Sequence, residues 1–428
     1  MDELFELGID EIIDDRRYRK STLTDGLTSA DGTPIAFMDR LALLTHHMSE
    51  LVAGAGSAYS DGRRMYRAFL SVKYGDKAVA ELDDDAIDRM LVDEHARIKV
   101  RFPASDIPRF TFIDLFAGIG GFRLAMQHFG GKCVYSSEFN EAAQLTYLHN
   151  YGEVPFGDIT SEQTKMFIPE HFDVLCGGFP CQAFSVAGYR RGFDDARGTL
   201  FFEVAEIIRR HRPRAVFLEN VKNLQTHDNG RTFAVIKGTL EELGYRVFSK
   251  VLNAMEYADV PQNRERIIIV AFDPELVPNY GNFEFPEPVQ LKRTIHDMID
   301  TDVEDERYFY RENHIYYPKL REAMLSRDTI YQWRRIYVRE NKSGVCPTLT
   351  ANMGGGGHNV PLILTDAGIR KLTPKECANF MGFPENFEFS PRLAESRKYM
   401  QAGNSVVVPL MVRVAESITD ILLGNEQF

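Results

Sequence analysis

The spacing of apolar and polar positions divides the chain into regions of different style. From Ile35 to about Val52, Phe37, Leu41, Leu44, Met48 and Leu51 recur near one face of a helix. Tyr66 to Lys73 and Ala86 to Val100 are further helix candidates. The latter follows the acidic cluster Asp83-Asp84-Asp85, which suits a helix N-terminus. Pro103 and Pro108 mark a linker. At Phe110 the pattern changes: strand-like runs at 110–116, 132–137, 172–176 and 214–218 alternate with helix-like runs at 121–129, 141–149, 199–210 and 231–243. More strand is expected at 246–252 and 266–272. This alternation predicts an α/β fold with a mixed, mostly parallel sheet and helices on both faces. Between about 286 and 365 aromatics, charge and the run Gly354 to Gly357 replace it. Helical patterning returns at 373–381 and 404–423. The expected segments are therefore 1–108, 109–285, 286–365 and 366–428. The first looks separate, acidic and mainly helical. Its opening, 1–34, is polar and expected to be loosely ordered.

Composition narrows the class. The chain has 428 residues, enough for two or three domains, and its 44% apolar and 26% charged content suits a globular protein with a large core. The N-terminus has no basic region ahead of an apolar one, and no apolar run approaches the ~20 residues of a membrane span. A cytoplasmic protein without membrane contact is expected. Five scattered cysteines (Cys133, Cys176, Cys181, Cys346 and Cys377) fit a reducing compartment. The net charge of −12 argues against nucleic acid, and residues 1–108 hold 14 Lys/Arg against 21 Asp/Glu. From 319 to 342 the sign reverses: Lys319, Arg321, Arg327, Arg334, Arg335, Arg339 and Lys342 face only Glu322, Asp328 and Glu340, with Tyr331, Trp333 and Tyr337 among them. A basic stripe with aromatics is a nucleic-acid footprint, with a solvated charged face as the plain alternative.

The first strand candidate runs into Ala117-Gly118-Ile119-Gly120-Gly121, a tight turn whose glycines let backbone approach a ligand. The dinucleotide fingerprint fails, because its third glycine would fall at Arg123. Glu138 ends the next strand twenty residues after Gly118, where a carboxylate can accept from both ribose hydroxyls. A ribose-containing ligand without a pyrophosphate follows, and S-adenosylmethionine fits better than a nicotinamide cofactor. Asp158, near the expected end of a third strand, can meet an adenine amine.

Three segments then place reactive groups after or before strands. Phe179-Pro180-Cys181-Gln182 follows the run Phe172-Asp173-Val174-Leu175 and displays a sulfur on a loop that continues through Ser185, Gly188, Gly192 and Gly198. Alternatives are a structural thiol or half of a metal pair with Cys176, although only His171 is near as a further ligand. Glu219, in Phe217-Leu218-Glu219-Asn220-Val221, is a carboxylate at a strand tip. Arg264 and Arg266 precede Ile267-Ile268-Ile269-Val270. Singly, each reads as a surface or solvated group. Together they read as nucleophile, acid and cations on one sheet edge.

These segments carry a resemblance. Phe112 to Gly121, Gly178 to Gln182, Arg197 to Phe202, Glu219 to Val221, Gln262 to Arg266, Arg370 to Cys377 and Gly403 to Ser405 resemble, in order, the motifs of the bacterial C5-cytosine DNA methyltransferases of restriction-modification systems. The resemblance runs from about Phe110 to the C-terminus. It implies a Rossmann-like S-adenosylmethionine-dependent methyltransferase fold. Residues 109–285 would be the catalytic and cofactor-binding domain, 286–365 a small target-recognition domain, and 366–428 a motif segment and C-terminal helix returning to the catalytic domain. It implies Cys181 as nucleophile, Glu219 at the ring nitrogen and amine, and Arg264 and Arg266 at the base carbonyl and a phosphate. The cofactor, which leaves as S-adenosylhomocysteine, would be held by Phe116, Gly118, Gly120, Glu138, Phe139, Asp158, Ile159, Pro180, Leu200 and Asn404. Phe139 stands where some members have tryptophan. DNA would be met by Ser185, Gln332, Arg334, Arg335, Arg339 and Thr348, with Ala187 where close relatives carry serine. Arg334 to Arg339 faintly resembles segments that read sites containing CG. A flipped cytosine in double-stranded DNA, a monomer and a cognate restriction endonuclease for the same site are implied. The rival within the family is a transfer-RNA methyltransferase, whose Cys-Phe-Thr segment this chain lacks. Residues 1–108 lie outside the resemblance and read as a scaffold or added DNA clamp, or alternatively as a regulatory or partner-binding module.

Overall fold

A computed structural model describes residues 5–20, 34–54, 57–180, 200–341, 343–355 and 359–424. Its central sheet has strands β1 (Phe110–Leu115), β2 (Gly131–Ser137), β3 (Val174–Gly177), β4 (Ala215–Val221), β5 (Arg246–Asn253) and β7 (Glu265–Phe272), the two-residue β6 (Gln262–Asn263) lying just before the last. Their spatial order is β2-β1-β3-β4-β7-β5. β2, β1, β3 and β4 run parallel, and β7 runs antiparallel to both β4 and β5. The consecutive apolar residues Ile267 to Phe272 are all buried, as a strand covered on both faces requires. One face packs on helices Gly121–His128 and Val408–Leu423, through Phe122, Met126, Val414 and Ile418. The other packs on helices Leu200–His211 and Arg231–Glu242, through Ile207, Ile208, Ile236 and Leu240.

The N-terminal segment does not stand apart. Its helices Phe37–Val52, Asp61–Tyr74 and Asp84–Arg97 share one apolar cluster with the sheet, joining Leu41, Leu44, Phe69 and Ile87 to Ile113, Tyr135 and Phe156. Asp83 caps the third helix, accepting from Ala86 N–H at 2.8 Å. The opening is also less loose than its composition predicts. Short helices Ile9–Asp14 and Arg16–Lys20 bury Ile9, Ile12 and Tyr18, and Ile9 N–H donates to Glu94 at 2.9 Å. Residues 21–33 fall outside the described residues. The helix Phe37–Val52 is buried nearly all round from Asp39 to Met48, polar residues included, because other helices cover one side and the sheet domain the other.

The segment after 286 builds a second sheet in the order β12-β11-β8-β9, from β8 (Ile330–Arg334), β9 (Tyr337–Asn341), β11 (Leu362–Thr365) and β12 (Gly368–Lys371). It continues to Lys371, beyond the expected boundary at 365. Leu320, Met324, Tyr331, Trp333, Leu362 and Ile369 form its core. β10 (Cys346–Pro347) leaves this sheet and pairs in parallel with β6. One local expectation fails. No strand precedes Asp158: Phe156 makes only an isolated bridge to Ser137. The helical pattern at 404–423 is the helix Val408–Leu423, with Pro409 in its first turn, and a further helix, Glu395–Asn404, precedes it. No helix among the described residues is long and apolar enough to cross a membrane.

Burial pushes the imidazoles of His46, His47 and His95, all on the N-terminal helices, below their ordinary 6.5. The unfolded chain takes up these protons near pH 6.5 and the folded one resists them, so this stability is present above that pH and is lost as pH falls. The melting temperature should therefore drop between about pH 7.5 and 5.5. His46→Gln should flatten the slope. A melting temperature constant over that range would contradict the assignment.

Candidate active site

Because β7 is reversed, its beginning meets the ends of β1 to β4 at one sheet edge. β1 hands over to Phe116, which has φ +55°, and to Gly118 (φ +55°). Gly118 N–H donates to Glu138 at 2.9 Å and Asn140 N–H donates to its other oxygen at 2.8 Å. These donors oppose the burial that pushes the Glu138 carboxyl above its ordinary 4.5. Gly120 is needed for a different reason. A Cβ there would lie 2.3 Å from the Tyr151 ring, which packs behind the loop.

At the other end, Arg266 Nε lies 2.7 Å from Glu219 Oε1, both side chains being nearly buried. The second oxygen of Glu219 faces Gly178, where a Cβ would stand 3.4 Å away. Asn220 was not singled out from sequence. Its amide donates to Phe179 O at 2.7 Å and its own oxygen accepts from Val221 N–H at 2.8 Å. It thus tethers the backbone just before Pro180 to the end of β4. The two arginines part company. Arg264 is 2% exposed, and its guanidinium donates to Leu349 O (2.6 Å), Gly403 O (3.2 Å) and Ser405 O (2.7 Å). Burial first, then Arg266, pushes it down to about 9, against the pull of Glu219. Neither the solvated reading of Arg264 and Arg266 nor the surface reading of Glu219 survives this burial.

Both ends belong to one cavity of about 440 Å³. Phe116, Gly118, Glu138, Phe139, Pro180, Glu219, Arg264, Arg266 and Asn404 line it. The volume suits a nucleoside-sized ligand. The phenyl of Phe139 is 73% exposed, a free face for a base. Helix Glu395–Asn404, absent from the sequence expectations, closes the wall through Arg397, Met400 and Gln401. Four expected cofactor residues do not line the cavity. Gly120 and Ile159 are packed behind it, Leu200 opens its helix, and Asp158 accepts from Thr160 N–H at 2.9 Å. Cys181, the residue after Pro180, and Ser185 lie outside the described residues.

Residues 110–420 match the family described as C-5 cytosine-specific DNA methylase. The chain belongs to that family. It is a DNA cytosine-5-methyltransferase that uses S-adenosylmethionine. The Type II methyltransferase M.Bsp6I of Bacillus sp. (strain RFL6) is 52% identical over 314 residues, covering 72% of this chain and 98% of that relative. M.HpaII of Haemophilus parainfluenzae is 44% identical over 365 residues, 80% of this chain and 99% of the relative. The solved structure of the Entamoeba histolytica methyltransferase EhMeth shares the fold, with a TM-score of 0.55 at 18% identity over 75% of this chain and 100% of that one.

For this methyltransferase, the variable segment presents a hairpin with two unlike faces. Trp333 stacks on Tyr316 at 4.3 Å, inside the small sheet's core. The alternate positions pair Gln332 with Arg339 and Arg334 with Tyr337, leaving Arg334, Tyr337 and Arg339 exposed and Gln332 half-buried. Arg335 turns the chain with φ +52°. Thr348 stands apart, beside the catalytic edge, donating to Asn263 O at 2.6 Å.

The Asn220 tether carries a prediction. Asn220→Ala leaves the Phe179 carbonyl unpaired, a cost of about 1–3 kcal/mol. Turnover should fall about ten- to hundredfold, with S-adenosylhomocysteine affinity preserved. Single-turnover rates and calorimetric binding check both, and wild-type turnover would rule the tether out.

Proposed function

We propose that the enzyme is the modification methyltransferase of a restriction-modification system, acting on a cytosine flipped out of double-stranded DNA. The observation that carries this reading is the continuity of one cavity from Glu138 to the Glu219–Arg266 pair, with Pro180, the neighbour of Cys181, between them. The residues fit S-adenosylmethionine: a buried carboxylate for the ribose, an exposed phenyl for the base, and a polar end for the reacting groups. When bound, it supplies an electrophilic methyl group.

Cytosine C5 is a poor nucleophile. The Cys181 thiolate would add to C6 and move an electron pair toward C5; C5 would then take the methyl carbon as its bond to the sulfonium sulfur breaks and S-adenosylhomocysteine leaves, and loss of the C5 proton to solvent and of the thiolate from C6 would restore the ring. Glu219, held by Arg266, meets N3 and the exocyclic amine and stabilises the adduct by hydrogen bonding or proton donation. Arg266 holds the base carbonyl. Arg264 serves as a positioning residue, its two terminal nitrogens donating to three backbone carbonyls. The base must leave the stack, since a duplex hides C6. Ser185 and Thr348 flank the extruded nucleotide. Gln332, Arg334, Arg335 and Arg339 read or steady the DNA, with a CG-containing site favoured. The enzyme acts as a monomer, and an endonuclease of the same specificity acts on the same DNA site, with no binding between the two proteins required. The matched family is one of DNA methylases, which turns the transfer-RNA alternative aside.

Bisulfite sequencing of plasmid DNA from cells expressing the chain should reveal methylcytosine at one short motif; scattered or no methylation would refute the reading. Duplex containing 5-fluorocytosine at that motif should trap a covalent complex in the presence of S-adenosylmethionine. Cys181→Ala should abolish the trap, and Glu219→Gln should lower turnover by orders of magnitude while binding the cofactor. Trapping by Cys181→Ala would remove the sulfur from the mechanism.

A further inference from the structure

We propose that Asp39, on an N-terminal helix, is a positioning residue for the nucleoside end of the cofactor site. It would hold the segment 153–159 in register with Glu138. This role rests on the reading of Glu138 as the ribose acceptor.

The contacts form a continuous path. Asp39 Oδ1 accepts from Gly157 N–H at 2.6 Å, and Oδ2 accepts from the Thr164 hydroxyl at 3.2 Å. Gly157 O in turn accepts from the Ser137 hydroxyl at 3.0 Å. Phe156 O accepts from Glu138 N–H at 2.8 Å, and Phe156 N–H donates to Ser136 O at 2.8 Å. The end of β2 that carries Glu138 is therefore stitched to residues 156 and 157, and Asp39 fastens those residues from behind. Asp158 follows directly. One helical turn and a half further along, Thr45 Oγ1 accepts from Val154 N–H at 2.9 Å. The His46 ring lies 5.1 Å from that of Phe156, which also stacks on Tyr135.

An apolar residue would fill this space at lower desolvation cost than a carboxylate. Asp39 is 2% exposed. Burial pushes its carboxyl above the ordinary 3.8, while Gly157 N–H and Thr164 work against that shift. A charged acceptor kept at such a place holds a specific N–H in a specific position. The family match spans residues 110–420, so Asp39 lies in sequence outside that matched unit.

The test compares S-adenosylhomocysteine binding, DNA binding, kcat and KM in the full chain. Asp39→Ala should raise the S-adenosylhomocysteine Kd about five- to tenfold and the KM for S-adenosylmethionine in step. Its kcat at saturating cofactor and its DNA affinity should stay within about twofold of wild type. Asp39→Asn keeps an acceptor oxygen and should restore binding. Unchanged S-adenosylhomocysteine affinity in Asp39→Ala, or equal losses in kcat and DNA binding, would overturn the proposal. Should Asp39→Ala fail to fold, Gly157→Ala probes the same contact, because its Cβ would lie 3.2 Å from Asp39 Oδ1; unchanged affinity there overturns it equally. Glu138→Gln separates the two readings: if it leaves S-adenosylhomocysteine binding intact, the cavity assignment fails whatever Asp39 does.

Discussion

The reversed strand β7 is the constraint on which the site depends. β5 ends at the catalytic edge, and the chain between Asn253 and Glu265 stays there as a short helix, Ala254–Tyr257, and a loop. The return into the sheet must then run antiparallel, which places Arg266 opposite Val221 and within 2.7 Å of Glu219. Were the eight-residue β7 parallel to β4, its first residues would lie about 25 Å away, at the far edge of the sheet. The carboxylate would have lost its cation, and the cavity its polar end.

The same short segment also fastens the rest of the chain to that edge. Gln262, fully buried, donates to Phe380 O at 2.6 Å and accepts from Leu349 N–H at 3.1 Å. Arg264 reaches Leu349, Gly403 and Ser405. Leu349 lies within the variable segment, just after β10, and residues 403–405 precede the C-terminal helix. A hydrogen bond to a charged group contributes about 1.5–3 kcal/mol. The carbonyls around Arg264 therefore hold two distant stretches of chain at fixed positions relative to Arg266. The variable segment and the Glu219–Arg266 end of the cavity share a common anchor, and a substitution at Arg264 would be felt in both.

The strand–helix alternation, the glycine turn and the carboxylate at Glu138 were legible because each is a local signal with a local cause. The different fates of Arg264 and Arg266 were not. With Gln262 they occupy alternate positions of one stretch, and what buries Arg264 comes from residues 349 and 403. Asn220 was hidden for a similar reason: its partner, Phe179, belongs to another strand's exit. In the helix Phe37–Val52, the periodicity of Leu41, Leu44 and Met48 marked one buried face. Asp39 and His46 lie on the opposite face and Thr45 on its flank, and these polar positions are buried as well, which that periodicity does not announce. In 5–20, a few apolar anchors outweighed a polar composition. Helix Glu395–Asn404 has too few apolar residues to announce itself; Tyr399, Ala402 and neighbouring backbone bury what there is.

Net charge misleads for the same reason: it ignores where charges are already matched. In the N-terminal helices, Asp84 and Asp88 pair with Arg63, Asp84 also with Arg67, Glu11 with Lys73, and Glu6 with Arg97. Much of that acidity is answered within the segment. On the β8–β9 hairpin, by contrast, Arg334, Arg335 and Arg339 form no ion pair among the described residues, and Arg334 only donates to Gln332 at 2.9 Å. A phosphate responds to the nearby, unmatched cation far more than to a distant matched anion, since at physiological ionic strength the field between exposed charges decays over about 8 Å. An enzyme with a net charge of −12 can therefore offer DNA a positive surface, provided its anions are spent on its own fold and its cations are left at the tip of a hairpin.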